Sequence, residues 1–427
     1  MKLNLIQKID MNLSITTIIT VFSFLMVPAL IAGQGIVHEI TGSSDILGVE
    51  SRMIDGYSRI IEPPSIDFQS LAMQIVEKNA GIRNGERVWI KVDGDADPDF
   101  INELAVAVGR AGGHPVVTQF SNAMLRGWYR EVPGSVDARP DPWLWKMYET
   151  ADVLIEIEAL DYSVFFEADE ERLIAWEAAN GNVMDVARER GMRVIRFGNS
   201  LYPVSSRADM LGVSNDELAE AFWAAVMTDP NYLTETGADL RSALESVKTI
   251  RITDPNGTDL TMRTATRSIV VTDGTTNRKP EPGELNITWL PGGEVTLGID
   301  PGSVQGRLAV ERVHFDGEEL RVLEFIFDPD SRVTIQSESD FSRLKSVLDL
   351  APPGLDRITG LKIGINPAIR DWRLLPYMGS GIVSVSLGAN RLLGGDIELP
   401  FILFLSLKEA TLFVDGYPLI EDGKLKL

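Results

Sequence analysis

The chain has 427 residues, 44% hydrophobic and 24% charged, so it is long enough to bury two cores and has the composition of a globular protein. Its formal net charge of -22 would repel nucleic-acid phosphates, and we expect no nucleic-acid partner. It has no cysteine, which excludes disulfides, thiolate metal sites and cysteine nucleophiles, and it has only three histidines, His38, His114 and His314.

Residues 1–33 have the pattern of a targeting segment. Lys2 and Lys8 precede about twenty nearly uncharged residues, enough to cross a membrane. Small residues end this run, as at a cleavage site. We therefore predict an export signal, or alternatively a retained N-terminal anchor, for a protein that is periplasmic, extracellular or membrane-anchored. Any membrane contact would be made through this segment. Residues 34–69 are interpreted as a lead-in or linker.

Residues 70–240 alternate between strand and helix patterns, which predicts an α/β domain with a largely parallel sheet. The predicted strands are Arg87–Val92, Pro115–Val117, Val153–Ile157 and Arg193–Phe197, and the predicted helices are Phe100–Arg110, Asp169–Arg190 and Asp216–Met227.

Three aspartates, Asp93, Asp95 and Asp97, follow the first of these strands. They have the oxygen ligands that a divalent cation takes. Asp is also favoured just before a helix, and the pattern favours a helix-capping turn over a cation site.

Residues 241–427 have a different pattern, with a boundary near residues 235–246. Asn256-Gly257 and Asp316-Gly317 each separate two strand patterns and suit hairpin turns. One helix is predicted near Asp340 to Asp349. The sequence therefore predicts a mostly antiparallel α+β domain at the C-terminus.

A turn in this second part delivers one carboxylate. The predicted strand Leu285–Leu290 is followed by Pro-Gly-Gly and then by Glu294. Glycine lets the backbone turn sharply and approach other chains closely, so such a turn can hold Glu294 rigidly in a cleft. The alternative is a surface turn followed by a solvated glutamate.

The segment Leu-Pro-Gly-Gly-Glu-Val at 290–295, followed by Gly-Ser-Val-x-Gly at 302–306, resembles the centre of the aminopeptidase T family, the M29 metallopeptidases. Further matches follow in order: Gly-Ile-Asn-Pro at 364–367, a strand ending in Leu-Gly at 387–388, Gly-Gly at 394–395 and Val-Asp-Gly at 414–416. The resemblance runs from about Ser70 to the C-terminus. It implies a homodimer with an enclosed cavity, and hydrolysis of the bond after a peptide's first residue by two metal ions.

The metal ligands that the resemblance implies are carboxylates and histidines. Position by position, the first family glutamate matches Glu294 and the second falls on Leu361. A histidine position falls on Ser384, and a His-x-Asp pair falls on Ile402 and Phe404. Aliphatic and phenyl side chains have no lone pair, so only one of the five positions keeps a ligand. The pattern is that of a metal pocket turned into apolar packing.

We therefore expect a chain of this family that has lost the dinuclear site, needs no cofactor and binds a peptide or a small apolar ligand in the inherited cleft. In that case Glu294 is a hydrogen-bonded structural carboxylate. The alternative is an active metal-dependent aminopeptidase or other hydrolase that uses non-family ligands around Glu294. The sequence leaves open whether the protein is an enzyme.

Two chemistries would serve that alternative. In one, carboxylates alone hold the divalent ions, and these would favour calcium or magnesium over zinc. The candidates are Asp300, Asp356, Asp396 and Glu398. In the other, Ser384 or Ser386 is a nucleophile and Lys408 is its base.

Overall fold

The computed structural model describes residues 66–199, 201–276, 285–315, 318–328, 333–350, 357–369, 377–390, 393, 397, 402–407 and 409–427. The predicted leader and most of the linker lie outside these ranges. So do the Gly-Gly pair at 394–395 and four candidate site residues: Asp356, Asp396, Glu398 and Lys408. Within the described ranges, none of the helices combines the length and the apolar character that a membrane span requires.

The first sheet is five-stranded and parallel, in the order β2-β1-β3-β4-β7. Its strands are β1 (Arg87–Gly94), β2 (His114–Phe120), β3 (Val153–Ala159), β4 (Arg193–Phe197) and β7 (Asn286–Leu290). The first four confirm the strands predicted for the α/β domain. The fifth comes from beyond the boundary expected near residue 240, so this sheet is completed by the C-terminal part of the sequence.

Helices cover both faces of the parallel sheet. Those that precede or follow its strands are α1 (Phe68–Gln74), α2 (Pro98–Arg110), α3 (Asn122–Glu131), α4 (Pro142–Thr150), α5 (Glu170–Asn180), α6 (Val183–Arg190), α7 (Ser205–Leu211), α8 (Asn215–Val226) and α9 (Pro230–Leu244). One core contains residues of α1, α2 and α8, and another contains residues of α4 and α6. The helix predicted over Asp169–Arg190 is two helices, which separate at Gly181 and Asn182.

Asp93, near the end of β1, and Asp95 and Asp97, which follow it, have different partners. Asp97 caps α2, since its carboxylate accepts hydrogen bonds from the backbone of Asp99 and Phe100. Asp93 pairs with Lys91 at 2.5 Å, and Asp95 accepts from Asn122 at 2.8 Å. The helix-capping interpretation is therefore the one that the structure supports.

The second sheet is mostly antiparallel, as predicted. In the described part of the chain it has twelve strands, with the main order β14-β13-β12-β8-β6-β5-β15-β16-β17, and β9, β10 and β11 extend from β6. The strands are β5 (Thr249–Thr253), β6 (Asp259–Thr272), β8 (Glu294–Ile299), β9 (Gln305–Phe315), β10 (Glu318–Phe327), β11 (Thr334–Gln336), β12 (Ile358–Gly364), β13 (Val383–Gly388), β14 (Ile402–Leu407), β15 (Thr411–Val414), β16 (Tyr417–Glu421) and β17 (Lys424–Leu425). The predicted helix is α10 (Ser342–Leu350).

The Pro-Gly-Gly turn joins the two sheets. It leaves β7 of the parallel sheet through a cis Leu290–Pro291 bond and enters β8 of the antiparallel sheet at Glu294. Gly293 has a φ of +128°, and a Cβ atom there would lie 2.5 Å from the Cβ of Asn366. The buried amide of Asn366 donates to the carbonyl of Gly292 at 2.8 Å and to that of Ala225, in α8, at 3.1 Å. Position 293 of the turn therefore has no space for a side chain.

We expect Gly293→Ala to lower the free energy of unfolding by about 2–4 kcal/mol, because alanine disfavours this φ and its methyl group would collide with Asn366. Urea denaturation measures the effect. Gly127→Ala in α3 is the matched control, since nothing lies within 4 Å of its added Cβ, and it should stabilise by roughly 0.5–1 kcal/mol. Equal effects of the two substitutions would contradict this account of the turn.

Candidate functional site

Four neighbouring strands of the antiparallel sheet, β8, β12, β13 and β14, present the predicted site positions. Residues directly opposite each other share a face of the sheet. Lys362 lies opposite Thr296 and Ser384, and Ser384 lies opposite Ser406. The same alternation places Glu294, Phe404 and Ile402 on this face, which we call the cleft face and define by Glu294, Lys362, Ser384, Ile402, Phe404 and Ser406.

A buried ion pair lies on the cleft face. The Nζ atom of Lys362 is 2.8 Å from Oε1 and 2.9 Å from Oε2 of Glu294, and both side chains are 7% exposed. The same ammonium lies 4.7 Å from the centre of the Tyr377 ring and 4.6 Å from that of Phe404. Both oxygens of the predicted metal ligand are therefore occupied by a cation from the neighbouring strand.

Leu361 lies on the other face of β12. It is fully buried in the core of the C-terminal domain, together with Val295, Leu297 and Ile363. Side chains alternate along a strand, so a shift of one residue moves a position to the opposite face. The motif resemblance put the second carboxylate position on Leu361, whereas the side chain that contacts Glu294 is that of Lys362.

Ser384 and the two apolar positions share the cleft face with Glu294. The hydroxyl of Ser384 is 2.7 Å from that of Ser406, which occupies one of its hydrogen-bonding positions. Phe404 is buried against the Tyr377 ring, with 5.6 Å between ring centres. Phe404 and the half-buried Ile402 pack with the core of the parallel sheet, so the cleft face lies where the two domains meet.

Tyr377 was not anticipated from the sequence. It is fully buried, and its hydroxyl has no hydrogen-bond partner in the structure as described. Burial raises the pKa of the Tyr377 phenol well above its usual value, the charge of Glu294 raises it further, and Arg207 offsets part of the shift. The group beside the ion pair is therefore a neutral aromatic ring.

These residues do not fit a dinuclear metal centre. Such a centre needs several oxygen or nitrogen donors that converge from separate segments. Here Glu294 is paired with Lys362, and Ile402 and Phe404 have no donor atom. Across the described ranges, no group of three or more His, Cys, Asp or Glu side chains is arranged to hold a metal ion.

Two other residues that could bind a metal ion, Asp300 and His114, are within the described ranges. Neither is available to the cleft face. Asp300, the one alternative carboxylate within the described ranges, pairs with Arg263 at 2.8 Å and caps the short turn at Pro301–Ser303. His114 is exposed at the start of β2, an edge strand of the parallel sheet.

A row of largely buried charged side chains crosses the parallel sheet. Lys91, Glu156 and Arg196 lie side by side on β1, β3 and β4. Burial would raise the pKa of Glu156, but Lys91 and Arg196 lower it to about 2. Lys91 is 2.7 Å from Glu156 and Arg196 is 3.1 Å from it, so Glu156 has a cation on each side, and Asp93, 2.5 Å from Lys91, supplies a second negative charge.

Sequence reasoning missed both charged groups, although a signal was present. Lys91, Glu156 and Arg196 each interrupt an otherwise apolar strand pattern, and Lys362 interrupts Leu-x-Ile in the same way. Charged residues are almost never fully buried unless they are paired. A lone charge within an apolar strand therefore predicts a buried partner.

The comparisons with known proteins agree with this fold. The sequence profile of the thermophilic metalloprotease family M29 matches residues 65–350, a range that ends before β12, β13 and β14. AmpT from Thermus thermophilus superposes with a TM-score of 0.60 at 16% identity, over 84% of this chain and 99% of that one. The 2,5-dihydroxypyridine dioxygenase of Pseudomonas putida KT2440 superposes with a TM-score of 0.56 at 13% identity, over 84% and 96%. No protein with a curated description matches the sequence.

We expect Lys362→Met to lower the free energy of unfolding by about 3–5 kcal/mol, because it leaves the Glu294 carboxylate buried without its partner. The double substitution Lys362→Met with Glu294→Gln should cost less than the sum of the two single changes. Urea denaturation of the four proteins measures the coupling. Lys345→Met is the matched control, since its pair with Asp349 is more than half exposed and should change stability by less than about 0.5 kcal/mol. Strictly additive losses would contradict a direct interaction.

Proposed function

The chain belongs to the M29 family of metallopeptidases, and from this premise we propose that it is a member that has lost the dinuclear metal site and acts by binding rather than by hydrolysis. The observation that carries the proposal is the pairing of both Glu294 oxygens with the Lys362 ammonium. In the reaction that the family implies, metal ions polarise the carbonyl and supply an ionised water. The cleft face offers no set of donors to hold them.

Recruiting a metal ion to Glu294 would carry a large energetic cost. The ion would have to displace Lys362 and leave a buried ammonium without its carboxylate. Removing one partner of a buried ion pair typically costs 3–5 kcal/mol, so a single remaining carboxylate would bind metal weakly. The other predicted ligand positions would contribute one hydroxyl, Ser384, which already pairs with Ser406.

A peptide or a small apolar molecule is the ligand class that we propose for the inherited cleft. Leu361 and Phe404 are buried in packed cores, so they would contribute little contact surface. Ile402 keeps part of its side chain accessible on the cleft face. The ligand would therefore contact the cleft at Ile402, close to the junction of the two domains, where binding sites are common.

Location and assembly complete the proposal. The pattern of residues 1–33 supports export or attachment by an N-terminal anchor. Family resemblance supports a homodimer.

The test combines metal analysis with an activity screen on the purified full chain. After equilibration with zinc, cobalt or manganese and removal of free ions, elemental analysis should find far less than one ion per chain. A panel of aminoacyl chromogenic substrates should give no turnover above that of Glu294→Gln. Two bound ions per chain, or turnover that Glu294→Gln abolishes, would establish the hydrolase alternative instead.

A matched variant and a binding screen complete the experiment. Glu245→Gln makes the same chemical change as Glu294→Gln, but at an exposed glutamate. The metal content and turnover of this variant should equal those of the wild type. Thermal shift with peptides and small apolar molecules should reveal at least one saturable increase in Tm, weakened by Ile402→Ala. Substrates turned over without any such binding would argue against a binding role.

A further inference from the structure

The ammonium of Lys362 lies among three groups that together have the chemistry of a cation site. Glu294 accepts two hydrogen bonds from it, at 2.8 and 2.9 Å. The rings of Tyr377 and Phe404 lie 4.7 and 4.6 Å from the same nitrogen, and their planes are inclined at 36°. We call Glu294, Tyr377 and Phe404 the ammonium cage.

Aromatic rings attract cations through the negative potential of their faces, and this attraction strengthens when the cation is removed from water. Cages of this kind bind alkylammonium ligands such as choline and methylated lysine. In this protein all three cage residues are buried, with relative exposures of 6% or less. The cation inside the cage is the side chain of the chain itself.

We propose that the ammonium cage is a binding site for a primary alkylammonium group, and that the chain fills it with Lys362. The occupant is thus an intramolecular ligand, held in the part of the fold where the family resemblance implies metal. Loss of the metal site alone would assign no ligand to the residues that remain, whereas the ammonium cage gives them a ligand class.

The charge balance favours a monovalent cation. One carboxylate neutralises one ammonium, whereas a divalent ion would leave an excess positive charge in a buried site. Calcium or magnesium would also require more oxygen ligands than a single glutamate provides.

The hydrogen bonds favour a primary amine. Lys362 uses two N–H groups on the two oxygens of Glu294. A quaternary ammonium has no N–H to donate, and it would leave both oxygens without hydrogen bonds. The ring of Tyr377 acts through its face, since its hydroxyl has no partner among the described residues.

The experiment removes the intramolecular occupant and supplies an external one. Lys362→Ala deletes three methylene groups and the amine, which correspond to n-propylammonium. We expect n-propylammonium to raise the Tm of Lys362→Ala by roughly 1–2 °C at several times its Kd, since a ligand stabilises the state that binds it. It should leave the Tm of the wild-type protein unchanged, because Lys362 already fills the cage.

Three controls separate the cage from non-specific effects. Neutral 1-propanol and quaternary tetramethylammonium should not raise the Tm of Lys362→Ala. The double variant Lys362→Ala with Glu294→Gln should lose the response to n-propylammonium. In the Lys362→Ala background, Tyr377→Phe should keep the affinity, whereas Tyr377→Leu and Phe404→Leu should each weaken it by about 2- to 5-fold.

A second measurement uses the wild-type protein, in case Lys362→Ala does not fold. With lysine side chains labelled with ¹⁵N, the ammonium signals of buried, paired lysines should persist because their protons exchange slowly. Lys362 and Lys91 should both give such signals, since Lys362 is buried, the Lys91 side chain is only 16% exposed, and both are paired with carboxylates. Glu294→Gln should remove the signal of Lys362 and preserve that of Lys91.

The results that would overturn the proposal are distinct from those that would overturn the loss of the metal site. The proposed cage is contradicted if n-propylammonium does not stabilise Lys362→Ala, or if 1-propanol stabilises it equally. It is also contradicted if the NMR signal of the Lys362 ammonium persists in Glu294→Gln. None of these readouts depends on metal content or turnover. Bound metal with an intact alkylammonium response would overturn only the proposed function.

Discussion

The ion pair between Glu294 and Lys362 is the interaction on which the cleft face depends. It joins β8 to β12 by two hydrogen bonds in a region where either charge alone would be strongly destabilising. The pair also fixes the register of the two strands, because a shift of one residue would move Lys362 into the hydrocarbon core that Leu361 occupies. The pairing of β8 with β12 and the register between them therefore both depend on the ion pair.

The position of Glu294 follows from the turn that precedes it. Gly292 and Gly293 let the chain pass from the parallel sheet to the antiparallel sheet without side chains, and Asn366 closes the turn through its amide. That amide also contacts the end of α8, so three separate segments determine where β8 begins. The carboxylate therefore enters the domain junction at a position set by the backbone, before any side-chain interaction is considered.

Features that depend on neighbouring residues in the sequence were predicted, and features that depend on contacts between distant segments were not. Strand and helix alternation gave β1 to β4 because each pattern lies within one element. β7 was assigned to the second domain because its partner, β4, is far away in sequence and periodicity carries no pairing information. Motif spacing found Glu294 and the strands that face it. It gave no indication of Lys362 or Tyr377, because their roles depend on contacts between strands and on packing across the domain junction.

Two lysines in the described part of the chain, Lys91 and Lys362, pair with carboxylates inside the fold, and they differ in what surrounds the ammonium group. Lys91 pairs with Asp93 and Glu156, and Arg196 pairs with Glu156 and Glu158, so two cations there are surrounded by three carboxylates. Lys362 has one carboxylate and two aromatic rings, which attract a cation without adding negative charge. Phe404 and Ile402 add no charge beside the ammonium of Lys362, so both side chains are compatible with a site that holds one neutral ion pair.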